Sequence, residues 1–332
     1  MIVVLKYIIH LPKRPLPNIR LNYISISDRF VIVVGIISLV VVLYVSRRYT
    51  HFRLNFNLLT VYDLRLEARE FGMSILATYL FAWTKAVNTL MLTYGLIKKK
   101  HVMAVLYFAI QMLSFGIDGS KSTFSLPFLV LIVVKMYDKI TVGKLKMWFI
   151  YGAAGESLLA AAEYVFGHTV FLITLFIRRI LFVPSILNVH YFDFFTTNEP
   201  DFFCGSFIRL FGAASPYAED DGISRMIGRV YFGSPTMNYN NVILSDAISN
   251  LGYAGIFIMP IIIVFFLHLF DCSTVGLDKR LVLVSGVFIA LNLIITSFMM
   301  VLITHGSLLL IVLTWMMKPE DLYIPIKTEE VN

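Results

Sequence analysis

The chain has 332 residues, 58% of them hydrophobic and only 15% charged. Soluble domains average about 45–50% apolar and about 25% charged, so a soluble enzyme is excluded and a polytopic membrane protein is expected. The net charge of +7 falls in clusters between apolar runs, where Lys and Arg hold topology; no basic run is interleaved with stacking aromatics, so nucleic acid is not an expected partner.

The first ten residues, MIVVLKYIIH, are too short to cross a bilayer and carry no signal-peptide cleavage site. Residues 1–29 read as a cytoplasmic N-terminal segment. Apolar runs then predict helices over 30–46, 71–95, 101–117, 123–137, 147–166, 251–270, 281–299 and 301–317, about eight spans in one all-α membrane domain over 1–332. No internal repeat and no Pro-, Gly- or Ser-rich linker divides it. Cys204 and Cys272 make neither a disulfide framework nor a zinc spacing.

Lysine clusters orient the spans. Lys98, Lys99 and Lys100 form one, Lys135, Lys139, Lys144 and Lys146 a second, Lys279 with Arg280 a third, and Lys318 follows the last run. The positive-inside rule places all of them in the cytoplasm. Between the second and third clusters the chain must cross an even number of times, which 147–166 and 251–270 already satisfy. The stretch ITLFIRRILFVPSIL, 173–187, is therefore not a span. Its apolar residues at about −0.5 kcal/mol each are offset by two central arginines at about +3 kcal/mol each. An interfacial helix avoids that cost, with Thr174, Arg178 and Ser185 on its polar face. The 47–70 loop carries Arg47, Arg48, Arg53, Arg65 and Arg69 outside, softened by Asp63, Glu67 and Glu70.

This topology puts 167–250 outside as the main loop region. It puts Cys204 outside and Cys272 inside, so the two cannot pair. The loop gathers His168, Arg178, Arg179, His190, Asp193, Glu199, Arg209, Arg225, Arg229 and Asp246, and the turn GIDGSKSTF adds Lys121. A cationic, hydroxyl- and amide-rich outer site suits an anion, above all a pyrophosphate, whose oxygens an arginine fork binds bidentately.

The residues that carry this site also carry a resemblance. RRILFVPSILNVHYFDFFTTNEP (178–200) resembles the central signature of the O-antigen polymerases, the oligosaccharide repeat-unit polymerases. SRMIGRVYFG followed by NYNNVILSDAISNLGYAGIFI (224–258) is similar to that family's loop end and returning helix. FGIDGSKSTFSLPFLVL resembles its Gly/Ser-basic-Ser turn. The likeness spans roughly 100–317. It implies a C-type, metal-independent glycosyltransferase with no cofactor, in a bacterial inner membrane with its site facing the periplasm. The glycan on undecaprenyl pyrophosphate would move onto the sugar of a new lipid-linked repeat unit. The family's essential arginines fall on Arg178 or Arg179 and on Arg225. The family also implies a chain-length regulator and a flippase as partners, beside membrane lipid.

Such chemistry needs positive charge on a leaving pyrophosphate and an acceptor for the attacking hydroxyl's proton. Arg178, Arg179, Arg209, Arg225, Arg229 and Lys121 are the binding candidates; each could instead be an interfacial anchor or a solvated face. His168, His190 and Asp193 are the catalytic candidates; a loop histidine is more often ordinary. Asp246 reads as a helix cap. Glu156 and Glu163 lie in an apolar run, Glu156 within reach of pairing with Lys85. The alternatives are an O-antigen ligase, a lipid-linked oligosaccharide flippase or transporter, and a membrane scaffold. A flippase would spread charge along several spans instead of one loop.

Overall fold

The computed structural model describes residues 28–54, 61–139, 141–170, 173, 178, 182–218, 222–234, 237, 239 and 242–317. Among the described residues every regular element is a helix. We number them α1 (Asp28–Val45), α2 (Val61–Glu70), α3 (Ile75–Ile97), α4 (His101–Asp118), α5 (Lys121–Met136), α6 (Val142–Gly167), α7 (Val183–Thr197), α8 (Ile223–Phe232), α9 (Ile243–Leu251), α10 (Gly255–Ser273), α11 (Lys279–Ile295) and α12 (Ser307–Met316).

Phe30–Thr50, Ile75–Ile97, His101–Asp118 and Ile243–Ser273 are long and apolar enough to cross a membrane. The other expected spans are also helical, but differently cut. α5 has 16 residues and α11 has 17, short of the ~20 that a 30 Å hydrocarbon core asks for. The run expected at 301–317 is broken: Met300–Thr304 is a wide π turn, and Gly306, at φ 73°, restarts the chain as α12. α6 covers the expected 147–166 and runs for 26 residues.

The chain forms two compact units. In the first, the described residues 28–54 and 61–135 associate with 262–292 and 300–317. Its centre is the α3–α4 hairpin, turned by Lys98–Lys100 with Lys99 in the left-handed region (φ 57°). The Ser74 hydroxyl caps α3 by accepting from Ala77 N. α4 ends on Gly119 (φ 60°), whose N–H returns to Phe115 O at 2.9 Å. Val42, Val45, Phe81, Ile110, Leu113 and Ile117 form the apolar core between α1, α3 and α4. Polar groups inside it are paired across helices. Ser38 Oγ donates to Asn88 Oδ1 (2.8 Å), and Asn88 Nδ2 donates to Gln111 Oε1 (3.3 Å). Such interhelical bonds contribute about 0.6 kcal/mol each in lipid, and they set register. Lys85, midway along α3, forms an ion pair with Asp118 at the end of α4. That replaces the expected partner, Glu156, whose Oε1 is enclosed with no hydrogen-bond partner. In the 47–70 loop, Arg53 forks onto both oxygens of Glu67 (3.1 and 2.8 Å).

The second unit comprises 136–261 with 293–299. Sequence reading expects an interfacial helix through the arginine stretch, 173–187; of its first part only Ile173, Arg178 and Phe182 are described, each in a helical turn, and the rest of 171–181 lies outside the described residues. The α-helix α7 follows from Val183, with Pro184 in its first turn, where its missing N–H is not needed. Leu187, Tyr191 and Phe195 recur every fourth residue along α7 and bury one stripe against Met226 and Ile227 of α8 and Ile248 of α9. Asp246 is not a cap. It is fully buried, takes the Asn250 amide at 2.9 Å, and takes the backbone N–H of Phe298 at 2.8 Å.

The corner between α9 and α10 is tight. A Cβ on Gly255 would fall on the Ala247 carbonyl, 2.7 Å from its carbon. Gly255→Ala should therefore lower stability by about 1–3 kcal/mol, as overpacking does. Gly286→Ala should not: its nearest neighbour would be a Phe270 ring carbon at 3.5 Å, and alanine favours a helix interior by about 0.5–1 kcal/mol. Thermal midpoints in detergent would check this; equal midpoints for the two variants would refute the corner.

Candidate functional site

The second unit gathers several of the candidate residues on α7, α8 and the segment after α8. His190 and Asp193 are three apart on α7, one turn, and so share a face. α8 brings Tyr231 to that face. Its ring stacks on the His190 imidazole, with centroids 4.3 Å apart and planes 9° apart. Its hydroxyl donates to Asp193 Oδ2 at 2.6 Å. Burial, then the hydrogen bond and charge of Asp193, push the Tyr231 phenol up to about 12, so it stays a donor at neutral pH. Phe232 meets His190 edge-on at 5.4 Å, and Tyr239 stacks at 6.0 Å. The imidazole thus sits in an aromatic cage, and its Nδ1 is enclosed with no hydrogen-bond partner.

Tyr239 is stapled to both helices. Its N–H donates to Ser224 O of α8 (3.1 Å), and its carbonyl accepts from the Tyr191 hydroxyl of α7 (2.8 Å). Tyr191 has no exposed surface, and burial raises its phenol strongly. Gly228 makes this approach possible: a Cβ there would stand 2.5 Å from the Met237 carbonyl oxygen. Burial also raises the Tyr239 phenol, while the positive charge of Arg178 pulls it the other way. Arg178 itself is exposed. So the charge of one predicted cation is felt at Tyr239, a wall of the cage that holds two predicted catalytic residues.

The remaining candidates are placed as follows. Arg225 and Arg229 are one turn apart on α8, as their spacing predicts, and α8 turns Tyr231 about 200° away from Arg229. Arg209 is exposed on the short 3-10 turn Phe207–Phe211. His168 is exposed at the end of α6, with φ 50°, on an element separate from the cage. Lys121 opens α5 in the first unit. Arg179 lies outside the described residues.

Sequence reading missed the tyrosines. Tyr191, Tyr231 and Tyr239 lie within stretches singled out for arginine and asparagine, and tyrosine there has no signature spacing. The signal available was the amphipathic body of the side chain, which can pack a ring and still present a donor.

The arrangement can hold an anion at Arg178 and exchange a proton at His190. Among the described residues no group of three His, Cys, Asp or Glu could hold a metal ion. A largely apolar groove of ≈ 430 Å³ beside α1 and the start of α4 is lined by Ile32, Ile36, Met91 and Leu106 among others, with Lys100, His101 and Tyr107 also in its wall. No protein-family model matches the chain, and no curated protein or solved structure matches it significantly.

Proposed function

We propose that this chain is a membrane glycosyltransferase of the O-antigen polymerase kind, extending a lipid-linked glycan at the outer face of a bacterial inner membrane. The observation that carries the reading is the caged His190, with an unpartnered Nδ1, beside the charge of Arg178. A catalyst of this transfer needs a proton acceptor and an anion holder within one site, and these two residues supply them.

In the proposed step, a hydroxyl oxygen of the incoming lipid-linked repeat unit attacks the anomeric carbon of the growing glycan. The bond from that carbon to the pyrophosphate oxygen breaks, and undecaprenyl pyrophosphate leaves. His190 takes the hydroxyl proton. Asp193 acts through Tyr231, which holds the imidazole plane. Arg178 stabilises the leaving pyrophosphate, with Arg225, Arg229 and Arg209 further along the same loop region as additional anion holders. A flippase and a chain-length regulator would supply substrate and set length. The hydrocarbon tails of both lipid-linked substrates would keep their heads at the membrane surface.

Deletion of the gene in the source strain tests the reading. Lipopolysaccharide should shrink to core plus a single repeat unit, with the ladder gone from a gel. Bare core, with long polymer stranded on carrier lipid, would mean a ligase instead. An unchanged ladder would refute both.

A further inference from the structure

An open depression of ≈ 350 Å³ lies just past the C-terminal end of α7, lined by Glu199, Asp201, Phe202, Cys204, Ser215 and neighbouring prolines. That volume is within the range of small-ligand pockets, about 300–1,000 Å³. Its floor is built to be rigid. Asp201 is 2% exposed. One of its oxygens accepts from Ser215 Oγ (2.5 Å) and the other from Gly205 N (2.7 Å). Ser215 Oγ in turn accepts from Tyr217 N at 3.1 Å, and the Tyr217 hydroxyl donates to Glu199 O at 2.5 Å.

The backbone of the wall is strained. Phe202 and Phe203 both sit in the left-handed region, at φ 50° and 63°, where a non-glycine residue is uncommon and a bulky one is an outlier. Three bonds to α9 hold them there: Asp201 N to Ser249 O (2.8 Å), Phe202 N to Asn250 O (3.0 Å) and Phe203 N to Asn250 Oδ1 (3.0 Å). The result is a Phe202 ring held 62% exposed at the mouth of the depression. Strain of this kind persists where surrounding structure over-determines it, and it gathers at ligand clamps.

We propose that this depression is a sugar subsite for the acceptor glycan. The inference rests on the glycosyl-transfer reading above. A pyranose ring has a hydroxyl rim and an apolar C–H face. Phe202, Pro200 and Pro216 offer apolar surface, and the Glu199 carboxylate offers a hydrogen-bonding edge. Asp201 and Ser215 are bound to each other and to the backbone, so they serve as the frame of the site. Its position fits an extended glycan. Tyr217 packs edge-on against Phe194 (5.9 Å) and Phe195 (5.6 Å) of α7. His190 lies seven residues before the end of that helix at Thr197, about 10 Å along it. A chain of a few sugars can therefore have its attacking hydroxyl near His190 and a more distant ring in the depression.

The test uses the full chain in nanodiscs and the free repeat-unit oligosaccharide released by mild acid from the source strain's surface polysaccharide. Saturation-transfer NMR should show contact with the wild type. Phe202→Asn removes the ring but keeps a residue that tolerates left-handed backbone; Ala214→Trp fills the depression by another route. Both should weaken binding at least tenfold at unchanged thermal midpoint. No contact with the wild type, or equal contact by wild type, Phe202→Asn and Ala214→Trp, overturns the subsite. So does contact only by a quaternary ammonium probe such as tetramethylammonium. The deletion strain judges the transfer reading separately: a lost ladder with no oligosaccharide contact leaves that reading standing and removes the subsite.

Discussion

Replacing His190 with phenylalanine should leave the protein folded in the membrane and reduce polymer formation by about 10²- to 10⁴-fold, the usual worth of a positioned acid or base. Phenylalanine keeps an aromatic ring between Tyr231, Phe232 and Tyr239, so the stack survives, but it cannot take a proton. His190→Gln should fail to the same degree while keeping hydrogen-bond capacity. Polymer yield at equal protein level, measured with lipid-linked repeat units in membrane vesicles, decides the point. Normal yield from the phenylalanine variant would make His190 a packing residue. Tyr231→Phe is the companion measurement. It removes the 2.6 Å bond to Asp193 and leaves the ring, so a smaller loss, confined to kcat, is expected of a positioning residue.

Arg178→Lys should lower polymer yield roughly ten- to a hundredfold. The substitution keeps the charge beside Tyr239, and with it any anchoring role at the interface. It removes the planar fork that meets a phosphate on two oxygens. A charge-assisted bond is worth about 1.5–3 kcal/mol, which converts to that range of rate. Arg179→Lys is the control, since adjacent residues on a helix point about 100° apart and cannot serve one phosphate equally. If both lysine variants make a normal ladder, the pair only anchors the chain.

What the sequence made legible follows the physics of each signal. Composition is a bulk property, so an all-helical chain with membrane-length apolar helices could be read directly. Arg225 and Arg229, four apart in the sequence, lie one turn apart on α8. The helix α7 was harder. Its stripe of Leu187, Tyr191 and Phe195 lies mostly past residue 187, where the expected interfacial helix ends, because the polar face was traced only through Thr174, Arg178 and Ser185. Asp201 was invisible as a framework residue because its role depends on Ser215, fourteen positions later, and on α9. Glu156 was within reach of pairing with Lys85 as far as the sequence shows, but chain position does not say that Asp118, at the end of the next helix, is the nearer carboxylate. Span lengths failed for a local reason: Gly306 breaks an apolar run that hydropathy alone reads as continuous.

The ion pair between Lys85 and Asp118 bears on how such a protein is made. A lysine midway along α3 makes that helix, by itself, a poor candidate for release into lipid, at about 2.5–3.5 kcal/mol against it. The remedy arrives only when α4 has been synthesised, because Asp118 is its final residue. The tri-lysine turn between them keeps the two helices close in time as well as in space. The charge cost of α3 is thus offset only by a residue of α4, so the two helices are stable in lipid as a pair and not one by one.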